Sequence, residues 1–329
     1  MGASEGKEQK SEDKSEKPAS RLLERLRRLY HRVNKASGGS LGVIRHASTN
    51  FTLMRGPEAA AGLSYYALFS IFPVLIAVIS IGSNFVSIDV VKERILQALH
   101  ELIPVSADFI NNLVSGVLEQ RGTVTIIALI TLIWSASNVF DKLIRNVNRA
   151  FPHGQKAGFL QNRAMAVVMV LVLILLFVGS LLISSIKGFF DLDKILIGGV
   201  GFTQTKLYAW ARFLLPILIK FLFFWAVYSW VPLHAEVLFQ AKLIGALVAA
   251  ALWELATRVL GWAISAGFAN YEVVYGSLSS IIYLMTWLYL TGFIIFWGAH
   301  LTHAINYQMM HDKEDKQQKL NQSMESGND

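Results

Sequence analysis

Two ionisable residues, Lys220 and Glu254, lie near the centres of two successive long apolar stretches. A charged side chain at the centre of a membrane helix costs about 2.5–3.5 kcal/mol on insertion scales, so such residues are usually paired or functional. If the two stretches run in opposite directions, both side chains reach a similar depth and a salt bridge between them is geometrically available. A structural clamp and a ligand-binding pair are both consistent with this arrangement.

Two arginines extend this pair toward one side of the membrane. Arg258 follows Glu254 by four residues, which places both on one helical face, and Arg212 precedes Lys220 by about two turns. The group then contains three cations and one anion, and a surplus of buried positive charge favours an anionic ligand. The arginine side chains could also extend to the membrane interface. We predict that Lys220, Glu254, Arg258 and Arg212 bind the substrate.

Polar residues and a proline within apolar segments predict the walls of a pathway. A proline in a membrane helix frees a carbonyl group and kinks the helix, and a polar face is turned toward other helices or water. Hydrogen bonding between helices explains such a face almost as well as a pathway does. The residues predicted to line the pathway are Ser64, Tyr65, Tyr66, Ser70, Pro73, Ser135, Asn138, Asp141, Tyr275 and Ser277. Asp141 is expected to pair with Lys142 or Arg145, and a proton relay is the alternative.

The sequence contains none of the spacings that are typical of hydrolases. There is no GxSxG elbow, HExxH pair or P-loop. The chain has no cysteine, which excludes disulfides and thiolate metal sites. His300 and His303 lie one turn apart, but no acidic third metal ligand is nearby. We therefore expect no enzymatic activity, no metal and no cofactor.

Long apolar segments must position these residues. Hydrophobic residues make up 53% of the chain, charged residues 16%, and the mean hydropathy is positive. Apolar runs of twenty or more residues recur, and about 20 helical residues cross a bilayer. The sequence predicts an all-α polytopic membrane protein, a six-transmembrane-helix bundle with additional amphipathic helices. The predicted spans are 57–83, 122–146, 161–187, 206–230, 239–266 and 274–303.

The segments outside these spans define the rest of the predicted domain organisation. Residues 1–20 and 307–329 are predicted to be disordered cytoplasmic tails. Residues 21–55 are rich in arginine and are predicted to form basic amphipathic helices at the membrane surface, with a soluble helix capping the bundle as the alternative. Within the membrane domain, 56–306, residues 84–121 are predicted to form extracytoplasmic amphipathic helices.

The distribution of lysine and arginine predicts the orientation of the chain. Cytoplasmic flanks are enriched in these residues. The basic segment 21–55 lies on the same side as the loop between spans two and three, which contains Lys142, Arg145, Arg149, Lys156 and Arg163. Both termini are therefore predicted to be cytoplasmic. Because the net charge of +7 is explained by membrane flanks, anionic phospholipids are the expected partners and nucleic acid is not.

Three stretches of the chain resemble one protein family. They are AAAGLSYYALFSIFPVLIAV at 59–78, IWSASNVFDKLIRNVNRAF at 133–151, and 245–305 with its LWE, YGSL and WGAHL motifs. They resemble the YihY/BrkB family of bacterial inner-membrane proteins over roughly residues 40–306. The resemblance implies six helices and a location in the cell inner membrane. Members have been labelled ribonuclease BN, a name regarded as a misassignment, and others are described as transporters or virulence factors.

The leading hypothesis is a membrane transporter of an anionic substrate, such as a lipid or lipid-linked molecule. Lys220, Arg258 and Arg212 would attract the anion, and Glu254 would orient Lys220 or compete for it as a gate. The alternative is a non-transporting scaffold in envelope biogenesis, in which Lys220 and Glu254 form only a clamp. A membrane-associated ribonuclease is the third hypothesis, and the lack of nuclease ligands in the sequence argues against it.

Overall fold

A computed structural model of the chain describes twelve ranges of residues. They are 40–83, 87–102, 111–112, 114–116, 126–151, 158, 160–171, 196–197, 200–201, 206–232, 235–266 and 278–325. Predictions for 1–39, including the N-terminal tail and the first basic amphipathic segment, lie outside these ranges. The same is true of 103–110 and 117–121 in the predicted extracytoplasmic amphipathic helices, and of 172–187 in the predicted third span.

The described chain is helical, with one minimal pair of strands. The helices are α1 Ser40–Leu53, α2 Gly56–Gly82, α3 Ile88–Leu102, α4 Ile126–Arg149, α5 Leu160–Leu171, α6 Lys206–Trp230, α7 Phe239–Ser265 and α8 Ser279–Glu325. Strands β1 Leu196–Ile197 and β2 Val200–Gly201 pair in antiparallel fashion. The predicted all-α class is confirmed, because two strands of two residues each add only one short antiparallel ladder.

Among the described residues, three helices are long and apolar enough to cross a membrane. They are α2, the Phe239–Ile264 part of α7 and the Ser279–Ser323 part of α8. Helix α5 and the Ile217–Trp230 part of α6 are shorter apolar helices. Helix α4 is 24 residues long, but its second half carries four charged side chains, which lower its mean hydropathy. A membrane protein with several spans is therefore confirmed, and the number six stays a prediction.

A tight turn joins α1 to α2. Arg55 adopts a left-handed conformation with φ of 56°, which costs a non-glycine residue roughly 1–2 kcal/mol. Gly56 follows because the ring of Phe51 fills the space that a Cβ atom would need. Pro57 in the first turn suits the start of a helix, where its missing N–H would have no partner. The turn therefore fixes the N-terminus of α2 against α1.

The main core cluster contains buried residues of α1, α2, α4, α5, α6, α7 and α8. Tyr228 of α6 is fully buried and donates a hydrogen bond of 3.0 Å to the carbonyl oxygen of Ile295 on α8. Gly298 permits this approach, because a Cβ atom there would overlap the Tyr228 hydroxyl. Phe224 and Ala249 are buried in the same cluster. Small residues thus let three helices pack closely at this depth.

A second cluster joins α2 to α3. Val78 and Ile79 of α2 are buried with Val91 and Ile95 of α3. These two α3 residues lie four positions apart on one face of the helix, and Glu93 between them is exposed. Helix α3 therefore lies against the C-terminal half of α2 through one apolar face.

The described fold has helical segments at both of its ends. Helix α1 buries Ala47 against Leu301 and Ala304 of α8, and Ser48 accepts a hydrogen bond of 3.1 Å from the Trp297 indole. The sequence predicts disorder over 307–329, but α8 continues as a helix to Glu325. The physical reason is that a helix already formed in 279–306 needs no new nucleation, and 307–325 are rich in the helix-forming residues Lys, Gln, Glu and Met.

Candidate functional site

The structure brings together three of the four residues predicted to bind substrate. Helices α6 and α7 pack side by side, and the Lys220 ammonium donates to Glu254 Oε2 at 2.6 Å. Arg258, one turn further along α7, donates through Nε to Glu254 Oε1 at 2.9 Å. Arg212 lies on α6, but its side chain is outside the described part of the structure. One carboxylate therefore bridges two cations.

This ion-pair group lies at a seam between apolar surfaces. The side chains of Lys220 and Glu254 are 20% and 30% exposed, and that of Arg258 is 67% exposed. Exposed apolar side chains occur close to the group along both helices, among them Leu222 on α6 and Leu255 on α7. Because both carboxylate oxygens already accept charge-assisted hydrogen bonds, the positive charge of Lys220 is compensated within the protein. The geometry is that of a clamp between two helices.

The polar residues of α2 divide into two groups. Ser64 and Ser70 are buried, and each hydroxyl donates to a carbonyl of its own helix, those of Ala61 at 2.8 Å and Tyr66 at 2.6 Å. Among the described residues, the hydrogen bonds of these two serines go to carbonyls of α2, and their predicted place on a pathway stays a prediction. Tyr65 and Tyr66 are exposed, and Pro73 lies inside the helix as predicted.

On α4, Asp141 is engaged by a neighbour on the same helix. Arg145 donates through Nε to both Asp141 oxygens at 3.0 Å, so the expected local ion pair forms. The carboxylate is mostly buried, with 11% of its side chain exposed. The side chains of Ser135, Tyr275 and Ser277 lie outside the described residues, so their predicted place on a pathway stays a prediction.

The third predicted α4 position, Asn138, contacts a residue that the sequence did not single out. Its Oδ1 accepts a hydrogen bond of 2.7 Å from Nη1 of Arg163 on α5, and Nη2 donates to the Trp134 carbonyl oxygen at 2.7 Å. The Arg163 guanidinium also stacks over the Trp134 ring, 3.8 Å from its centroid. Arg163 is therefore held by two hydrogen bonds and a cation–π contact.

Arg163 is a buried cation without a carboxylate partner in the described part of the chain. It is 6% exposed, and its buried Nε has no hydrogen-bond partner there. The sequence pattern counts Arg163 among the cytoplasmic loop charges. One signal could have distinguished it, because position 163 already lies inside the predicted third span, 161–187, where an arginine is costly.

A basic pocket lies about one to three turns along α4 from Asn138. It is formed by the start of α2 and the end of α4, which run antiparallel, and has a volume of about 320 Å³. Four cationic side chains and one carboxylate line it. The lining residues are Arg55, Glu58, Ala59, Gly62, Leu63, Tyr66, Lys142, Arg145, Asn146 and Arg149. Hereafter this cavity is called the basic pocket.

Arg163 and the basic pocket are connected along one face of α4. Asn138, Lys142, Arg145 and Arg149 follow at intervals of three or four residues, which places them in one stripe. The stripe from Asn138 to Arg149 is about 16 Å long at 1.5 Å per residue. The α4 cations of the pocket therefore lie on the same helical face as Asn138, which contacts the buried guanidinium of Arg163.

Three further cavities lie beside α7 and α8. One of about 470 Å³ is lined by Phe151, Glu236, His303, Tyr307 and His311, among others. A second of about 440 Å³ lies between α1, α7 and α8, and a third of about 490 Å³ is an apolar groove on α7 and α8. The described residues contain no group of three His, Asp or Glu side chains placed to hold a metal.

Together the fold and the site define a helical membrane protein with several apolar helices and a cationic stripe leading to a buried arginine. The chain belongs to the family described as Virulence factor BrkB, whose sequence profile matches residues 47–323. This confirms the resemblance to the YihY/BrkB family.

Named relatives agree with this assignment. The chain is 24% identical to the ribonuclease-like protein YfkH of Bacillus subtilis over 270 residues, covering 81% of this chain and 96% of YfkH. It is 28% identical to a UPF0761 membrane protein of Aeromonas salmonicida over 281 residues, covering 82% and 93% of the two chains. A UPF0761 membrane protein of Vibrio atlanticus is 26% identical over 280 residues, covering 84% and 86%. No solved structure matches the chain.

Proposed function

We propose that this protein is a membrane transporter of an anionic substrate, with a lipid or lipid-linked molecule as the substrate class. The observation that carries the proposal is Arg163, a buried guanidinium at the inner end of the cationic stripe on α4. Asn138 and Trp134 orient it through neutral groups, which leave its positive charge in place. An anion moving along α4 would supply the missing charge.

The energetic argument for Arg163 is one of desolvation. Removing a charged group from water costs several kcal/mol even after relaxation of the protein. A cation–π contact recovers roughly 0.5–2 kcal/mol and leaves the group charged. A cation that is kept in place at such a cost is suited to a ligand of opposite charge that arrives and departs. Transport needs this property, because a permanent carboxylate partner would keep the site occupied.

The proposal gives Lys220, Glu254 and Arg258 a different role from the one predicted. Their mutual ion pairs hold α6 against α7 and leave only Arg258 strongly exposed. Under the proposal, this group keeps the helices in register while the anion moves along α4. Under the proposal, Arg163 binds the substrate in place of Lys220. Asn138 orients Arg163, and Asp141 orients Arg145.

Flux through purified protein tests the proposal. The full chain is reconstituted into liposomes that contain fluorescently labelled phosphatidylglycerol, and outer-leaflet dye is bleached with the membrane-impermeant reductant dithionite. We expect the wild type to expose inner-leaflet probe and Arg163→Gln to slow this at least tenfold. The matched control is Arg94→Gln, which removes an exposed arginine of α3 that bonds only to nearby Gln97 among described partners. Equal flux in wild type and Arg163→Gln would overturn the proposal.

We also propose a location in the bacterial inner membrane with both termini in the cytoplasm. The basic flank 21–55 supports this orientation, and the relatives named as membrane proteins are bacterial. Fusing a reporter that fluoresces only in the cytoplasm, or a phosphatase that works only outside it, to the C-terminus tests the orientation. Phosphatase activity of the second fusion would contradict it.

A scaffold in envelope biogenesis is the second candidate, and the Lys220–Glu254 pair favours it. A fully paired carboxylate at 2.6 Å from Lys220 Nζ is what a purely structural clamp requires. Exchanging the charges, with Lys220→Glu and Glu254→Lys together, tests the clamp that both functions contain, and probe flux through the wild type distinguishes the two functions. If the protein is a scaffold, the exchanged protein should recover both folding and cellular function. Neither the exchanged protein nor the wild type should then show probe flux in liposomes.

We propose, finally, that the protein is not a ribonuclease, although the relative YfkH is named ribonuclease-like. The sequence lacks the catalytic spacings of hydrolases, as described above. Purified full-length protein supplied with Mg²⁺ or Mn²⁺ and a labelled RNA tests this directly. Cleavage that co-purifies with the protein and saturates with RNA concentration would overturn the proposal.

A further inference from the structure

We infer that the basic pocket binds the phosphate headgroup of an anionic phospholipid, and that a phosphomonoester headgroup fits it best. The lipid tails would lie along the exposed aromatic face of α2 that continues from the pocket. This inference rests on the proposed function only for the later movement of the lipid, since binding at the pocket can be measured without flux.

The charge of the pocket supports a phosphate ligand. Arg55, Lys142, Arg145 and Arg149 line it together with the single carboxylate of Glu58. Asp141 pairs with Arg145 from outside the lining, so two positive charges remain after both carboxylates are counted. Arginine presents several N–H donors in a fixed plane, which suits the oxygens of a phosphate group. A phosphomonoester with close to two negative charges would balance the pocket.

The surroundings of the pocket favour a lipid over free phosphate. Leu63 and Ala59 provide apolar lining, and Tyr66 forms the wall nearest to Lys142, whose ammonium lies 5.0 Å from its ring centre. Beyond Tyr66, the rings of Tyr65 and Phe69 contact each other at 4.8 Å and are both more than half exposed. A headgroup in the pocket would thus continue directly onto exposed aromatic surface, where acyl chains are stable.

Gly62 gives the pocket a position that can be filled without changing its charge. Gly62 lines the pocket, and a Cβ atom built there would meet no atom within 4 Å. Phenylalanine at this position would occupy the open volume, and replacing a helical glycine also removes a destabilising residue from α2. Gly261 of α7 is the matched control, because a Cβ atom built there would also meet no atom within 4 Å, and the position lies far along the chain from the pocket.

The experiment measures lipid retained by the detergent-solubilised full chain in native mass spectrometry. Wild-type protein is incubated with phosphatidic acid, phosphatidylcholine, or phosphatidic acid together with excess inorganic phosphate. We expect at least a fivefold preference for phosphatidic acid over phosphatidylcholine, and incomplete competition by phosphate. Gly62→Phe and the double variant Lys142→Gln with Arg149→Gln should each lose this preference, whereas Gly62→Ala and Gly261→Phe should keep it.

The outcomes separate binding from transport. Retention of phosphatidic acid by Gly62→Phe at the wild-type level would overturn the inference, as would equal retention of both lipids by wild-type protein. Complete displacement of phosphatidic acid by inorganic phosphate would show that the pocket binds free phosphate and not a lipid. If the wild type retains phosphatidic acid selectively but shows no probe flux, the proposed transport function is wrong and the assignment of the basic pocket as a lipid-binding site still holds. Circular dichroism of each variant confirms that its helices have formed.

Discussion

Arg163 stacks on Trp134 and donates a hydrogen bond to the main-chain carbonyl of the same residue. The guanidinium carbon lies 3.8 Å from the ring centroid, and Nη2 lies 2.7 Å from the carbonyl oxygen. One residue of α4 therefore holds the arginine of α5 through both its side chain and its backbone. This contact places a buried cation beside the polar face of α4.

Removing the charge of Arg163 should abolish probe flux without lowering the stability of the protein. Arg163→Met removes the desolvation cost of a buried charge, several kcal/mol, which offsets the cost of about 1–3 kcal/mol for leaving an acceptor such as Asn138 Oδ1 without its donor. We expect Arg163→Met to unfold at the same temperature as the wild type, or up to several degrees higher, while losing at least 90% of probe flux. Thermal unfolding in detergent and the dithionite assay provide the two measurements. A large loss of stability together with unchanged flux would show that Arg163 is structural.

Glu254 should matter more to folding than either of its partners. Its carboxylate accepts from both Lys220 and Arg258, so Glu254→Ala leaves a partly buried ammonium without its acceptor. Hydrogen bonds to charged groups contribute about 1.5–3 kcal/mol, and the exposure of this group favours the lower end. We expect Arg258→Gln to have less than half the effect of Glu254→Ala, since Arg258 is mostly exposed. Unfolding in denaturing detergent measures both, and the reverse order would contradict the clamp.

Glu58 should weaken headgroup binding in the wild-type protein. It is the one carboxylate among the residues lining the basic pocket, and it pairs with Arg55 at 3.3 Å. Glu58→Gln raises the net charge of the pocket by one unit and frees Arg55 from that pair. We therefore expect several-fold stronger retention of phosphatidic acid, an effect that declines with added salt. Exposed Glu93→Gln on α3 is the control, and equal gains in both variants would indicate a non-specific charge effect.

Gly298 should tolerate no side chain while Tyr228 keeps its hydroxyl. A Cβ atom at 298 would overlap the buried hydroxyl oxygen, so Gly298→Ala should cost about 1–3 kcal/mol, the usual range for overpacking a core. Tyr228→Phe removes the obstructing oxygen together with its bond to the Ile295 carbonyl. The double variant should be more stable than the sum of the single effects predicts. Strict additivity in thermal unfolding would show that the two positions do not contact.

Several features of the fold could be predicted from the sequence because they depend on local periodicity and length. The bounds 206–230 and 239–265 of α6 and α7 match the predicted spans to within one residue. The contact of Lys220 with Glu254 also follows from the sequence, because both residues lie near the middle of their helices, and two antiparallel helices joined by a short loop bring their middles to a similar depth. Arg258 joins them because it lies one turn from Glu254 on the same helix.

Other features could not be predicted because they depend on which helices become neighbours. The serines of α2 have the same spacing whether they bond another helix or their own carbonyls, and only the packed structure shows the second case for Ser64 and Ser70. Similarly, the continuation of α8 beyond residue 306 reflects propagation from a stable helix, which a composition-based prediction of disorder does not include.

By itself, the sequence determined that this protein is helical, that it contains long apolar helices and that charges lie within them. These properties follow from the period and hydrophobicity of contiguous residues. Tertiary structure decided which charges are neutralised and which are not: Glu254 compensates Lys220, whereas Arg163 packs on neutral groups of α4. It also joined Arg55 to Arg149 in one pocket. The physical reason is that pairing depends on distances of a few ångströms between helices, which no linear spacing encodes.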